Sequence, residues 1–167
     1  MSGGAAPFQI IKIELDRDSI ATRSPEVEVE RHRAISDLLD ENSFRLVTEG
    51  AEGPYRLRLA FEGLDRLLIQ VNCTQSGHQE EIPLPLSPLK RLIADYTIIC
   101  DNFYKTAKAG EMHRLEAIDM GRRGIHNEGA EVLAETLENK VIVDKTTARR
   151  LFSLLYVLHI RTTTTIT

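Results

Sequence analysis

The chain has no tryptophan, only four tyrosines and five phenylalanines, and two cysteines in 167 residues. Cys73 and Cys100 stand far apart with no Cys-x-x-Cys pair, which excludes a disulfide scaffold and the common zinc and redox motifs. Isolated thiols of this kind suit a reducing compartment. Long apolar runs are also missing. The longest, Leu151 to Ile160, is broken by Ser153 and His159 and falls far short of the ~20 residues a membrane span requires. Met1 to Pro7 has neither the basic nor the apolar region of a secretory signal, so a cytoplasmic protein is expected. Charge is balanced overall at −4, but unevenly: residues 1–83 carry net −6 and residues 84–167 net +2. No basic stripe is dense enough to follow a phosphate backbone, so nucleic acid is not an expected partner.

What is present fits one soluble domain. Hydrophobic residues at 42% and charged residues at 28% are ordinary for a folded chain. At this length the core needs no metal or disulfide support. Phe8 to Leu15 is rich in β-branched residues and reads as a strand. Ser24-Pro25 opens a helix through about Asn42, with Val27, Ala34, Ile35, Leu38 and Leu39 at helical spacing. Phe44 to Val47, Tyr55 to Phe61, Arg66 to Cys73 and Glu80 to Leu84 read as strands of an antiparallel meander. Pro83 and Pro85 confine the last of these to an edge. Ser87-Pro88 starts a second helix that Gly110 closes. A helix to Glu138, a short extended Val141-Ile142-Val143 and a last helix capped by Asp144 follow. Residues 151–158 are apolar nearly all round, which marks a buried element. The expected fold is α+β: a single domain over 1–167, a small mainly antiparallel sheet packed with three to four helices, and frayed ends at 1–7 and 162–167.

One segment stands apart. Between Asp119 and Gly129 the chain packs Gly121, Gly124 and Gly129 with Arg122, Arg123, His126, Asn127 and Glu128. Read as a glycine-rich loop entering a helix, it offers free N–H groups and a positive dipole end. Arg122 and Arg123 match a carboxylate or phosphate. His126 titrates near neutral pH, with Asp119 or Glu128 to orient it. The spacing is neither a Walker loop nor a dinucleotide fingerprint. A purely structural reading stands beside this one. Helical phase carried back to His126 aligns it with Ala130, Leu133 and Leu137 and turns it toward the core, while Glu128, Glu131, Glu135 and Glu138 form a solvated stripe.

Other candidates carry less. His113 and Glu116 have the i,i+3 spacing of metal helices but too few companions, and no metal or other cofactor is expected. His159 lies on the Ala148, Phe152, Leu155 face as a core histidine. No Gly-x-Ser-x-Gly or His-Glu-x-x-His is present.

The chain resembles the bacterial uncharacterised protein family 0262 of the UPF series. The resemblance runs from about Ile10 to His159. It is carried by Arg23-Ser24-Pro25, Gly53-Pro54-Tyr55-Arg56-Leu57, Glu116 to Gly129, Thr147 to Phe152 and Val157-Leu158-His159. It implies a cytoplasmic context and brings no mechanism with it.

Two functions follow as expectations. The first is a non-catalytic binding or regulatory module that recognises an anionic small molecule or a protein partner through 119–129, with Arg122, Arg123, Asn127, Gly121 and Gly124 as the binding residues. The alternative is an enzyme acting on a phosphorylated or carboxylated substrate, with His126 as general acid/base and Asp119 or Glu128 beside it. A homo-oligomer that covers the last helix is a third possibility. No membrane association is expected.

Overall fold

The computed structural model describes residues 6–16, 25–63 and 65–166. The Ser24 cap and the leader 1–5 fall outside them, as do the side chains of His159 and the threonine tail. In chain order the elements are β1 (Ile10–Leu15), α1 (Pro25–Asp40), β2 (Phe44–Leu46), β3 (Tyr55–Glu62), β4 (Arg66–Cys73) and β5 (Gln79–Pro85). Then come α2 (Ser87–Ala109), α3 (Met112–Leu137), β6 (Val141–Val143) and α4 (Lys145–Ile166). The fold is α+β.

β3, β4 and β5 form the expected antiparallel meander, registered from Tyr55↔Cys73 to Glu62↔Arg66 and from Arg66↔Pro85 to Asn72↔Gln79. Gly63 and Gly77 turn the chain at φ +64° and +77°, a region only glycine enters freely. β5 lies at the edge, where Pro83 and Pro85 interrupt no inner ladder. One strand's direction was left open by the sequence, and one expectation needs correction. β1 joins the sheet parallel to β3, because α1 carries the chain back before β3 begins. β2 is no part of the meander. It pairs with β6 in a separate two-stranded sheet, Phe44↔Val143 and Leu46↔Val141.

Alternation decides which sheet face is covered. Tyr55, Leu57 and Leu59 of β3, Leu67, Ile69 and Val71 of β4, and Ile82 and Leu84 of β5 are buried. The opposite face presents Arg56, Arg58 and Glu81 to solvent. Ala34 and Leu38 of α1, Leu133 and Leu137 of α3, and Leu151, Phe152, Leu154, Leu155 and Leu158 of α4 complete the core. The apolar run of α4 is therefore the central buried helix its composition announced. Asp144 caps it by accepting the Thr147 N–H at 2.8 Å. Gly110 at φ +75° ends α2, its N–H bonded to the Ala107 carbonyl. Ser87, expected as the cap of α2, lies inside the helix behind Leu86, which makes no side-chain cap bond.

The largest correction concerns residues 119–129. They are not a loop. α3 is one continuous helix of 26 residues, and none of its three glycines has a positive φ. Each glycine costs a helix about 1 kcal/mol relative to alanine, but packing overrides propensity where the missing Cβ admits a neighbour. That occurs at Gly121, beside Ile99, and at Gly129, beside Phe152.

Candidate functional site

Helical geometry places Asp119, Arg122, Arg123 and His126 at successive i,i+3 and i,i+4 positions on α3. The face they share looks into a cleft between α2, α3 and α4. This open cleft, about 370 Å³, is lined by Tyr96 of α2, by Arg122, Arg123, His126 and Asn127 of α3, and by Arg149 and Ser153 of α4. Arg122, Arg123 and Asn127, three of the five residues named from sequence as binding, thus line one cleft, by side-chain periodicity and not by a loop. Gly121 and Gly124 do not line the cleft, and as helix-interior residues they offer it no free N–H groups. Glu128 is solvent-exposed and is not among the lining residues.

Asp119 organises the arginines. Its Oδ1 accepts from Arg122 Nη2 at 2.6 Å and Nε at 3.2 Å, and its Oδ2 pairs with Arg123 Nη2 at 2.9 Å. The Arg122 bond and charge hold the Asp119 carboxyl below the ordinary aspartate value. Burial alone would lower Arg122, but the Asp119 bond reverses that and its pKa rises. The Arg122 guanidinium also lies 4.4 Å from the centre of the Phe103 ring, a cation–π contact that fixes its plane. The Arg149 guanidinium has no ion pair or hydrogen bond among the described residues, while the Arg149 backbone is a hydrogen-bond partner of His126. Two of the three guanidiniums at the cleft therefore share one carboxylate, and the third has none.

The floor is aromatic. Tyr96 packs against His126, Phe152 and Tyr156 with ring centroids 5.5, 5.6 and 4.8 Å apart. Below them the Cys100 thiol meets the hydroxyls of Tyr96 and Tyr156, and burial pushes all three groups up from their ordinary pKa values. Burial thus disfavours the Cys100 thiolate, the form a nucleophile requires.

His126 is half-buried, and its Nε2 lies 2.8 Å from Ser153 Oγ. Burial is the first cause of its depressed pKa, and the positive charges of Arg149 and Arg122 lower it further. The imidazole is therefore neutral at pH 7. Neither Asp119, committed to the arginines, nor Glu128 is its hydrogen-bond partner. Its phase with Ala130, Leu133 and Leu137 is the one the helical reading expects, and those three are buried. Arg149, Ser153 and Tyr96 are the cleft residues that sequence reasoning missed. The usable signal was a guanidinium and a hydroxyl at i,i+4 in an otherwise apolar helix.

Elsewhere the candidates remain dispersed. His113 and Glu116 are exposed, and among the described residues no group of three or more His, Cys, Asp or Glu side chains gathers as a metal would require. A broader depression on the open sheet face, about 490 Å³, includes Arg58, but Glu14 and Asp16 already neutralise that residue. No helix among the described residues is long and apolar enough to cross a membrane.

The cleft lies within a stretch that other proteins share. The model of the uncharacterised protein family UPF0262 matches residues 8–161. The chain belongs to the UPF0262 family. A UPF0262 protein of Sphingopyxis alaskensis is 44% identical over 156 residues, covering 92% of this chain and 94% of the relative. One from Brucella anthropi is 41% identical over 162 residues, covering 96% and 99%, and one from Mesorhizobium japonicum is 44% identical over 153 residues, covering 92% and 94%. The family resemblance noted from residues 10–159 thus extends over nearly the whole described fold. No solved structure matches the chain.

Proposed function

We infer that this UPF0262 chain is a non-catalytic binding or regulatory module whose α2–α4 cleft takes a small anionic ligand. The observation that carries the reading is the uncompensated charge. Arg122, Arg123 and Arg149 face one cleft with only Asp119 against them, and the Arg149 guanidinium has no partner among the described residues. Asp119 and Phe103 hold Arg122 in place before any ligand arrives, so little side-chain entropy is lost on binding. A dianionic phosphoryl group matches this surplus, and a carboxylate matches it in part. The buried, unpaired thiols of Cys73 and Cys100 favour a reducing compartment such as the cytoplasm.

Binding is favoured over catalysis because the imidazole has a hydroxyl partner and no carboxylate to orient it or to stabilise its protonated form. Titration calorimetry with inorganic phosphate tests the reading. Arg122→Ala/Arg123→Ala is expected to weaken phosphate at least tenfold, since hydrogen bonds to charged groups contribute about 1.5–3 kcal/mol each. Unchanged affinity in a folded double variant sinks the proposal.

A further inference from the structure

The arginine cleft does not end at His126. A second hollow of about 180 Å³ adjoins it between α3 and α4, and the two share Asn127 and Arg149 as common walls. Its remaining lining includes Ala130, Ala134 and Ala148 with Val143 of β6. Ala130 and Ala148 are 5% and 2% exposed, so the floor is closed core, and the methyl side chains leave room that larger residues would fill. For scale, an apolar cavity of about 150 Å³ accommodates benzene.

The charges around this hollow differ from those of the cleft. Glu131 and Asp144 stand against Lys145, with Arg149 at the shared wall, so no excess of positive charge marks a second anion site. Asp144 is already committed to capping α4. Asn127 is exposed at the junction, where its amide can both donate to and accept from a linking atom.

We propose that the ligand is a phosphoryl monoester carrying one compact apolar or aromatic group, its anion among Arg122, Arg123 and Arg149 and its apolar group on the Ala130–Ala134–Ala148 floor. This rests on the reading of the arginine cleft as an anion site and adds the chemical class of what the anion carries. The charge pattern counts against a bisphosphate, whose second anion would face Glu131 and Asp144.

Calorimetry with two probes, inorganic phosphate and phenyl phosphate, separates the two claims. On the unaltered protein phenyl phosphate is expected to bind at least tenfold tighter than phosphate, through apolar area removed from water. Ala134→Leu, at a half-buried helical position, should fill the hollow, remove that preference and leave phosphate binding unchanged. If phosphate binds but phenyl phosphate gains nothing, the apolar subsite is wrong and the anion site stands. If neither probe binds, both readings fall. Should Ala134→Leu not fold, the ratio of the two affinities on the unaltered protein still decides the matter.

Discussion

Gly129 and Phe152 occupy one volume at the crossing of α3 and α4. A Cβ on Gly129 would lie 2.6 Å from Cδ1 of Phe152 and closer still to Cε1 and Cζ. Phe152 is fully buried and packs edge-on against both Tyr96 and His126, so its ring cannot retreat without moving the floor of the cleft. The glycine that looked like part of a ligand loop is a seat for a core ring.

Substituting the glycines of α3 should therefore give opposite results. Gly129→Ala is expected to destabilise by about 1–3 kcal/mol through overpacking, with the helix-propensity gain of about 1 kcal/mol only partly offsetting it. Nothing stands within 4 Å of a Cβ at Gly124, and Gly124→Ala should stabilise by about 0.5–1 kcal/mol. Urea midpoints of the two variants check this. A Gly129→Ala protein as stable as the parent would show that the crossing relaxes freely.

Asn42 joins β1 to α1. Its Oδ1 accepts the Ile10 N–H at 2.7 Å, and its Nδ2 donates to the carbonyls of Ile10 and Leu38 at 3.0 and 2.9 Å. Asn42→Ala leaves these buried backbone groups unpaired and should cost about 3 kcal/mol, as a buried orphan costs about 1–3 kcal/mol. Asn42→Asp has nearly the same shape but loses both donated bonds and adds a charge, so it should be the less stable of the two in urea titration at pH 7.

Arg149 and Arg150 are neighbours with separate tasks. Arg150 Nη1 donates to the carbonyls of Asp37 and Glu41 at 2.6 and 2.7 Å and so satisfies the C-terminal end of α1. Arg150→Ala should lower stability by about 1 kcal/mol and leave phosphate affinity unchanged. Arg149→Ala should do the reverse, keeping the melting temperature and weakening phosphate about tenfold. Thermal melts and calorimetry on both variants would detect an exchange of these roles.

His126 predicts a pH dependence. Burial holds its folded pKa below the ordinary 6.5, so on acidification the unfolded chain takes up the proton first. Its stabilising contribution is fully present above about pH 6.5, falls as pH drops toward the folded value, and levels off below it. The depressed carboxylates Glu14, Asp65, Glu80 and Asp119 lose their contributions only near pH 4 and below, clear of the window just under pH 6.5. His126→Asn should flatten the stability slope in that window. A bound anion favours the imidazolium, so the loss of affinity as phosphate itself takes up a proton over the same range should be steeper in His126→Asn than in the unaltered protein.

Local signals were readable wherever one side-chain period or one terminal residue decides the outcome. The Tyr55–Leu57–Leu59 alternation, the edge prolines of β5, the Asp144 cap, the Gly110 stop and the apolar run of α4 all belong to this class. The direction of β1 was not readable, because pairing depends on where α1 returns the chain. The three glycines misled for a similar reason. Glycine breaks a helix by local propensity, whereas here Ile99 and Phe152 approach two of the vacated positions from other helices.

For the cleft the division is sharper. The chemistry of Arg122, Arg123, His126 and Asn127 was written in one short segment, and helical spacing alone would put them near one face. That they look into a cavity depended on α4, which is where Arg149 and Ser153 come from, and on α2, which supplies Tyr96. Sequence thus determined an α+β domain with a central apolar helix and a cluster of cationic side chains, because composition and periodicity act locally. Only the tertiary structure decided that the cluster is helical, that Asp119 serves the arginines and not the histidine, and that the Arg149 guanidinium is left without a partner among the described residues. Those outcomes depend on groups far apart in the chain meeting across packed helices.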